Sequence, residues 1–154
     1  LGLLRERPRI RIDGRAAFLT VLVFCTIIFG SLVAGNDAGM IYNTFPLMDG
    51  AFVPRGYLDF QPWWVNLFEN AATVQFNHRI AAEFTGLCVL LYWLRARRDR
   101  DPRYATAVLL AACIQIALGI STLLLAVPIV LGALHQAGAV VLLTATLLAA
   151  ERGR

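Results

Sequence analysis

The chain contains only two histidines, and each lies the same distance before an arginine. His78 precedes Arg95 by 17 residues, and His135 precedes Arg152 by 17 residues, each within a separate hydrophobic segment. At about 1.5 Å per helical residue, each imidazole would lie roughly 25 Å from its arginine, towards the far side of a membrane. Imidazole is a common metal ligand, so two of them at equal depth predict one shared metal.

The segments that carry these histidines belong to an apolar chain. Hydrophobic residues make up 58% of it and charged residues 16%, which is typical of a membrane protein rather than a soluble core. No residue is charged between 16 and 36 or between 104 and 150, whereas a weaker segment from 72 to 94 carries two charges near its start. We expect an all-α integral membrane protein with four transmembrane helices, at 16–36, 72–94, 104–125 and 129–150, and an outer loop at 37–71.

The distribution of charge predicts the topology of these spans. All 14 basic residues are arginines, and most lie in patches at 5–15, 95–103 and 152–154, beside the hydrophobic segments. Such patches are typical of the cytoplasmic ends of membrane spans and not of a nucleic-acid surface. We therefore expect both termini in the cytoplasm of a bacterial plasma membrane, or in the matrix if the membrane is the mitochondrial inner membrane.

Several other distinctive side chains have structural interpretations. Cys25, Cys88 and Cys113 fall within predicted spans, which predicts reduced thiols packed among apolar side chains. Trp63 and Trp64 follow a proline in the outer loop and have the character of anchors at a membrane interface. Neither group is expected to do chemistry.

The number of other metal-binding side chains at the same membrane depth restricts which ligand two facing imidazoles could hold. Zinc usually needs three or four protein ligands, and no further Cys or His is predicted there. Haem iron needs only axial ligands, and the core of a helical bundle can hold the macrocycle. A histidine hydrogen-bonded to a carbonyl is the alternative for either residue alone. Room for a flat ring is predicted from small residues one turn away, which are Ala81, Ala82, Gly132, Gly138 and Ala139.

Charged and polar residues near the histidines suggest further roles. Arg79 and Glu83 are four residues apart on one helical face, which favours an ion pair between them. Arg79, next to His78, and Arg55 in the outer loop are candidates for pairing with haem propionates. Gln115 is expected to form an interhelical hydrogen bond.

Four strings of residues carry a resemblance to a known family. They are LVAGNDAG at Leu32–Gly39, YNTFPLMDG at Tyr42–Gly50, PWWVNLFENAATVQFNHR at Pro62–Arg79 and LHQ at Leu134–Gln136. Together they resemble the haem A synthase family, and specifically the C-terminal half of its alphaproteobacterial and mitochondrial type. The likeness runs along nearly the whole chain from the first predicted span onward.

The resemblance implies both an activity and a cofactor. Family members oxidise the C8 methyl group of haem O to a formyl group, which gives haem A for cytochrome c oxidase. They consist of two similar four-helix halves in an eight-helix pseudo-symmetric enzyme, and each half has a histidine pair. By this resemblance, His78 and His135 would be the axial ligands of haem b, while the substrate haem O would bind in the other half.

The chain departs from the family because it has one histidine pair instead of two, and no catalytic residue can be assigned. We expect it to be inactive alone and to be either a fragment or a half-sized relative that needs the N-terminal half or a second copy. Haem O synthase, cytochrome c oxidase assembly and membrane lipid are the other expected partners, and nucleic acid is not. The alternatives are a quinone-linked bis-histidine cytochrome b and a membrane anchor without cofactor.

Overall fold

The computed structural model describes residues 12–99 and 101–151 of the chain. Within these residues there are helices and one isolated antiparallel bridge between Met48 and Ala51, but no strand, so the predicted all-α class is confirmed. Most of the first arginine patch and both arginines of the last lie outside the described residues. The helices are α1 (Gly14–Gly35), α2 (Asn66–Glu69), α3 (Ala71–Ala96), α4 (Arg103–Leu124) and α5 (Ile129–Glu151).

Three of the four long helices, α1, α4 and α5, are long and apolar enough to cross a membrane. The fourth, α3, has 26 residues and occupies the position of the remaining predicted span. It carries Arg79 and Glu83 within its length and Arg95 in its last turn, which lowers its mean hydropathy. Composition therefore supports three spans in the described part of the chain, and the count of four stays a prediction.

The ends of the helices follow from local capping chemistry. Asp13 precedes α1, and its side chain accepts a hydrogen bond of 2.9 Å from the backbone N–H of Arg15. Asn70 caps α3 in the same way by accepting from the N–H of Thr73. Between α4 and α5, Ala126 and Val127 both have a φ of 56°, in the left-handed region, and the chain reverses there within a few residues.

The four long helices form a ring in which α1 and α4 each pack against both α3 and α5. The helices that bear the histidines, α3 and α5, therefore lie diagonally across the bundle. The hydrophobic core occupies one end of this ring, which we name the closed end. Its buried residues lie in the first halves of α1 and α4 and the second halves of α3 and α5: Ala16, Leu19, Val23, Val89, Tyr92, Ala96, Ala105, Val108, Ala112, Leu142, Ala149 and Ala150.

The opposite end, which we name the histidine end, is covered by the loop between α1 and α3. Asparagine side chains fasten this loop to the ends of the helices. The amide of Asn36 donates to the carbonyls of Leu32 and Phe68, each at 2.8 Å. The amide of Asn43 donates to the carbonyl of Leu123 near the end of α4, also at 2.8 Å. The outer loop is therefore an ordered cap and not a loose connection.

The cysteines and tryptophans agree only partly with their predicted roles. All three cysteines are free thiols, as expected, but Cys25 and Cys113 are exposed on the outside of the bundle. The predicted packing among apolar side chains is confirmed for Cys88, which lies against the hydrophobic core, and is wrong for Cys25 and Cys113. Trp63 and Trp64 are also exposed, and their role as interface anchors stays a prediction.

Candidate functional site

His78 lies in the first half of α3, and its imidazole packs directly against α1 at Gly30. A Cβ atom added to Gly30 would lie 3.0 Å from Cε1 of His78 and about equally far from both ring nitrogens, at 3.5 and 3.6 Å. The imidazole therefore occupies the volume that a side chain at position 30 would fill. A residue larger than glycine would press on the ring.

His135 on α5 has the same environment on the other side of the bundle. A Cβ atom added to Gly119 of α4 would lie 2.8 Å from Cε1 of His135, with the ring nitrogens at 3.4 and 3.5 Å. Each histidine ring thus packs against a glycine of a neighbouring helix. The contact between α3 and α1 is repeated by the contact between α5 and α4. We name Gly30 and Gly119 the imidazole seats.

The ring nitrogens of both histidines have unused hydrogen-bonding capacity. The Nδ1 atom of each ring is enclosed and has no hydrogen-bond partner. The backbone of Thr26 lies near the ring of His78 and that of Gln115 near the ring of His135, but neither carbonyl completes a hydrogen bond to Nδ1. An enclosed polar atom without a partner typically costs about 1–3 kcal/mol, so such atoms call for a functional explanation.

Both imidazoles lie at the histidine end of the bundle, on the two long helices that lie diagonally across it. No group of three or more His, Cys, Asp or Glu side chains in residues 12–99 and 101–151 is arranged to hold a metal ion. In the described part of the chain, a metal ion bound by protein side chains alone would thus have only His78 and His135 as ligands. A metal that already carries equatorial ligands needs no protein ligands beyond these two.

Arg79 follows His78 and fastens the outer loop to α3. Its guanidinium donates to the carbonyl of Thr44 at 2.9 Å and to that of Tyr42 at 2.7 Å, and the amide of Gln75 also donates to Tyr42 at 3.2 Å. The Nε atom of Arg79 is enclosed without a partner. The terminal nitrogens are therefore engaged with the loop, and only Nε is left for another acceptor.

The predicted ion pair between Arg79 and Glu83 is wrong. No such pair occurs among the salt bridges of the described residues, and Glu83 is exposed on the surface of α3. The guanidinium of Arg79 instead donates to the loop carbonyls of Thr44 and Tyr42. Arg55 is exposed, and its backbone carbonyl accepts from the hydroxyl of Tyr42 at 2.6 Å. Pairing of Arg79 or Arg55 with propionates stays a prediction.

The space predicted at Gly138 is filled, because the side-chain oxygen of Gln115 lies against it. At Gly132 the nearest side chain is that of Val127, at an ordinary contact distance of 3.9 Å. The room predicted at Ala81, Ala82 and Ala139 stays a prediction. The predicted interhelical hydrogen bond of Gln115 is confirmed, because its amide donates to the carbonyl of His135 at 2.9 Å. The glycines that contact the rings are on α1 and α4, and sequence reasoning missed them.

A helical membrane bundle with two histidines on diagonal helices is the class of protein that the fold and the site define. Comparison with known proteins gives the family. The sequence matches the COX15-CtaA family, described as cytochrome oxidase assembly protein, over residues 3–147. This chain belongs to that family, and the predicted family is confirmed, whereas its correspondence to the C-terminal half stays a prediction.

Individual relatives are similar over most of this chain. It is 47% identical over 136 residues to "Heme A synthase" of Nitrosospira multiformis, which covers 86% of this chain and 38% of the relative. It is 48% identical over 142 residues to "Heme A synthase" of Chelativorans sp., which covers 89% of this chain and 39% of the relative. The chain thus spans about two fifths of the length of these relatives. No solved structure matches it significantly.

Proposed function

We propose that this chain is the haem b-binding part of a haem A synthase, an oxidoreductase that converts the C8 methyl group of haem O to a formyl group. The observation that supports this most is the pair of equivalently seated imidazoles at one end of the bundle. The names of the relatives support the reaction, and the histidine pair supports the cofactor. Haem O as substrate and cytochrome c oxidase as the destination of the product are part of the same proposal.

The residues present fit a haem held between His78 and His135. Two imidazoles suffice as axial ligands, and their enclosed Nδ1 atoms have backbone carbonyls nearby that could orient them. In this arrangement Nε2 of each ring would ligate the iron. A haem held by His78 and His135 would supply electron transfer. Nε of Arg79 would remain available to a propionate.

The part of the protein that receives haem O would lie outside this chain. The chain provides one histidine pair, and it spans about two fifths of the relatives' length. Converting a methyl to a formyl group is an oxidation, so the electrons removed need an acceptor. We assign the residues of this chain to holding the group that moves those electrons. The missing part would be the rest of the same enzyme or a second copy.

The membrane arrangement belongs to the same proposal. We place α3 across the membrane with α1, α4 and α5, because it packs against α1 and α4 along the bundle. With both termini in the cytoplasm of a bacterial inner membrane, or in the mitochondrial matrix, the histidine end would face the opposite side. The outer loop would then cover the haem from that side.

A quinone-linked cytochrome b that only carries electrons is the second candidate, and the single histidine pair favours it. Expression in a haem A-deficient strain distinguishes the two functions. The chain is expressed there alone, or together with the part of the Nitrosospira multiformis heme A synthase that this chain does not match. The extracted haems are then identified by mass. We expect haem A only with both parts present, and none when the chain carries His78→Ala or His135→Ala.

The control variants are Asn77→Ala and Gln136→Ala, which alter the neighbours of the histidines and should support haem A formation. Membranes that contain a haem-loaded chain but never haem A, whether or not the remainder is expressed with it, would favour the electron carrier. A colourless purified chain would favour a membrane anchor without cofactor and would remove the haem proposal.

A further inference from the structure

We propose that Gly30 and Gly119 are positioning residues, each of which fixes the orientation of one histidine ligand. The inference rests on the proposed function, since it concerns how the same haem would be held. Each seat lies on a helix that carries no ligand itself, so the ligand and the surface that orients it come from different helices. The arrangement on α1 and α3 is repeated on α4 and α5.

A side chain at either seat would collide with the imidazole ring. A Cβ atom closer than 3.0 Å to another heavy atom is essentially never found, and position 119 would place one 2.8 Å from Cε1 of His135. Position 30 would place one at the limit, 3.0 Å from Cε1 of His78. A methyl group at either position must therefore turn the imidazole or move its helix. The effect should be larger at Gly119 than at Gly30.

Gly30 and Gly119 are the helix glycines at which the close neighbour is an imidazole ring, whereas at Gly138 it is the side-chain oxygen of Gln115, at the end of a flexible side chain. A Cβ added to Gly35, which is also on α1, would meet nothing within 4 Å. At Gly86 of α3 the nearest atom is Cδ1 of Ile116 at 3.1 Å, the end of a flexible side chain that can rotate away. An imidazole is a rigid ring, so at the two seats the contact controls the plane of the ring.

Each ring also has an enclosed Nδ1 atom without a hydrogen-bond partner. The backbone carbonyls near the rings belong to Thr26 and Gln115, and each lies four residues before a seat on the same helix. A rotation of the ring over its seat would change the distance between Nδ1 and this carbonyl. A hydrogen bond from Nδ1–H to the carbonyl would fix the tautomer, leave Nε2 for the iron and raise the basicity of the ligand. The seat therefore influences the electronic state of the iron as well as the angle of the ring.

The test uses the full chain purified with its haem, as wild type and as Gly30→Ala, Gly119→Ala and the control Gly35→Ala. Electron paramagnetic resonance and the midpoint potential report the ring planes and ligand basicity. We expect a shift of the largest g value, a changed potential and partial loss of the low-spin signal, more in Gly119→Ala than in Gly30→Ala. Gly35→Ala should match the wild type. Wild-type g values and potential in both seat variants would overturn the inference.

A further measurement separates a seat from ordinary helix packing and does not need haem. Thermal unfolding is compared for the wild type, Gly119→Ala, His135→Ala and the double variant. We expect Gly119→Ala to lower Tm when His135 is present and to have little effect when His135→Ala has removed the ring. An equal loss in both backgrounds would show a packing role and overturn the inference.

The two measurements also distinguish this inference from the proposed function. A wild-type chain that carries no haem contradicts the proposed function, and the unfolding comparison then still decides whether Gly119 seats the ring. A haem-loaded wild type with unchanged seat variants contradicts the inference alone. If Gly119→Ala does not accumulate, Gly30→Ala and the corresponding comparison with His78→Ala decide the matter.

Discussion

The two ends of the bundle are built in different ways. At the closed end, apolar side chains from all four long helices form a continuous buried core, including Leu19, Val89, Val108 and Leu142. At the histidine end, the first half of α5 contributes no buried residue, and the inward groups include two imidazoles with enclosed, unpartnered Nδ1 atoms. The same four helices therefore complete their packing at one end and leave unused binding capacity at the other.

This difference shows how stability and function are divided along the helices. In a membrane, helix association depends on close van der Waals packing and interhelical hydrogen bonds, since lipid is as apolar as the side chains. The closed end provides that packing with small and branched residues. The histidine end can then keep polar, incompletely bonded groups for a ligand, and the outer loop covers it through asparagine and arginine hydrogen bonds.

The largest effect on folding is expected from a cavity at the closed end. Leu19 is 2% exposed, and Leu19→Ala should lower the free energy of unfolding by about 2–5 kcal/mol because the neighbouring helices cannot fill the space. Haem bound per folded chain should not change. Leu110→Ala, at a position 58% exposed, is the matched control and should have a small effect. A loss of haem from folded Leu19→Ala protein would contradict the division between the ends.

A smaller effect is expected where the outer loop is fastened to α3. Arg79→Ala removes two hydrogen bonds that the charged guanidinium donates to carbonyls of the outer loop. The attachment of this loop to α3 should become weaker by about 1.5–3 kcal/mol. Hydrogen exchange of residues 42–49 should accelerate, whereas Arg55→Ala should leave it unchanged. Weaker haem binding in Arg79→Ala with unchanged exchange would instead favour a propionate as the main partner.

The hydrogen bond across α4 and α5 at the histidine end should contribute less. Gln115→Ala removes the 2.9 Å bond to the carbonyl of His135, for which a loss of about 1 kcal/mol is typical in a membrane bundle. Thermal unfolding in detergent should show this as a modest decrease in Tm. Ser121→Ala, a substitution on the same helix, provides the control. A decrease equal to that of Leu19→Ala would mean that the histidine end contributes as much packing as the closed end.

The smallest effect concerns pH and the start of α1. Burial alone would raise the pKa of the Asp13 carboxyl, but hydrogen bonds from Arg15 and its charge together lower that pKa below the ordinary value of 3.8. The folded state therefore favours the carboxylate. The resulting stability is complete above pH 3.8 and is lost as the pH falls through the lowered pKa.

Asp13→Asn tests this contribution. Because Arg15 is exposed, the difference in unfolding free energy should be below about 1 kcal/mol. Wild type should lose this advantage over Asp13→Asn as the pH is lowered from about 5 to about 3. An advantage of the wild type that grows towards low pH would contradict the direction of the shift.

Much of this organisation could be predicted from the sequence, because uncharged runs and two isolated histidines are strong signals. Helix α3 was harder to assign, since Arg79 and Glu83 make it less apolar than the others, and they do not pair as their spacing suggests. The seats could not be found, because a glycine within an apolar run does not reveal which ring will lie against it. That depends on the rotation of each helix, which the whole bundle determines.

The most direct test is the haem spectrum of the purified full chain and its two histidine variants. We predict one low-spin, bis-imidazole haem per chain in the wild type, and loss of the low-spin signal in both His78→Ala and His135→Ala. Asn77→Ala and Gln136→Ala should retain it. A low-spin haem that persists in either histidine variant with its wild-type spectrum would contradict the claim that these two rings hold the iron together.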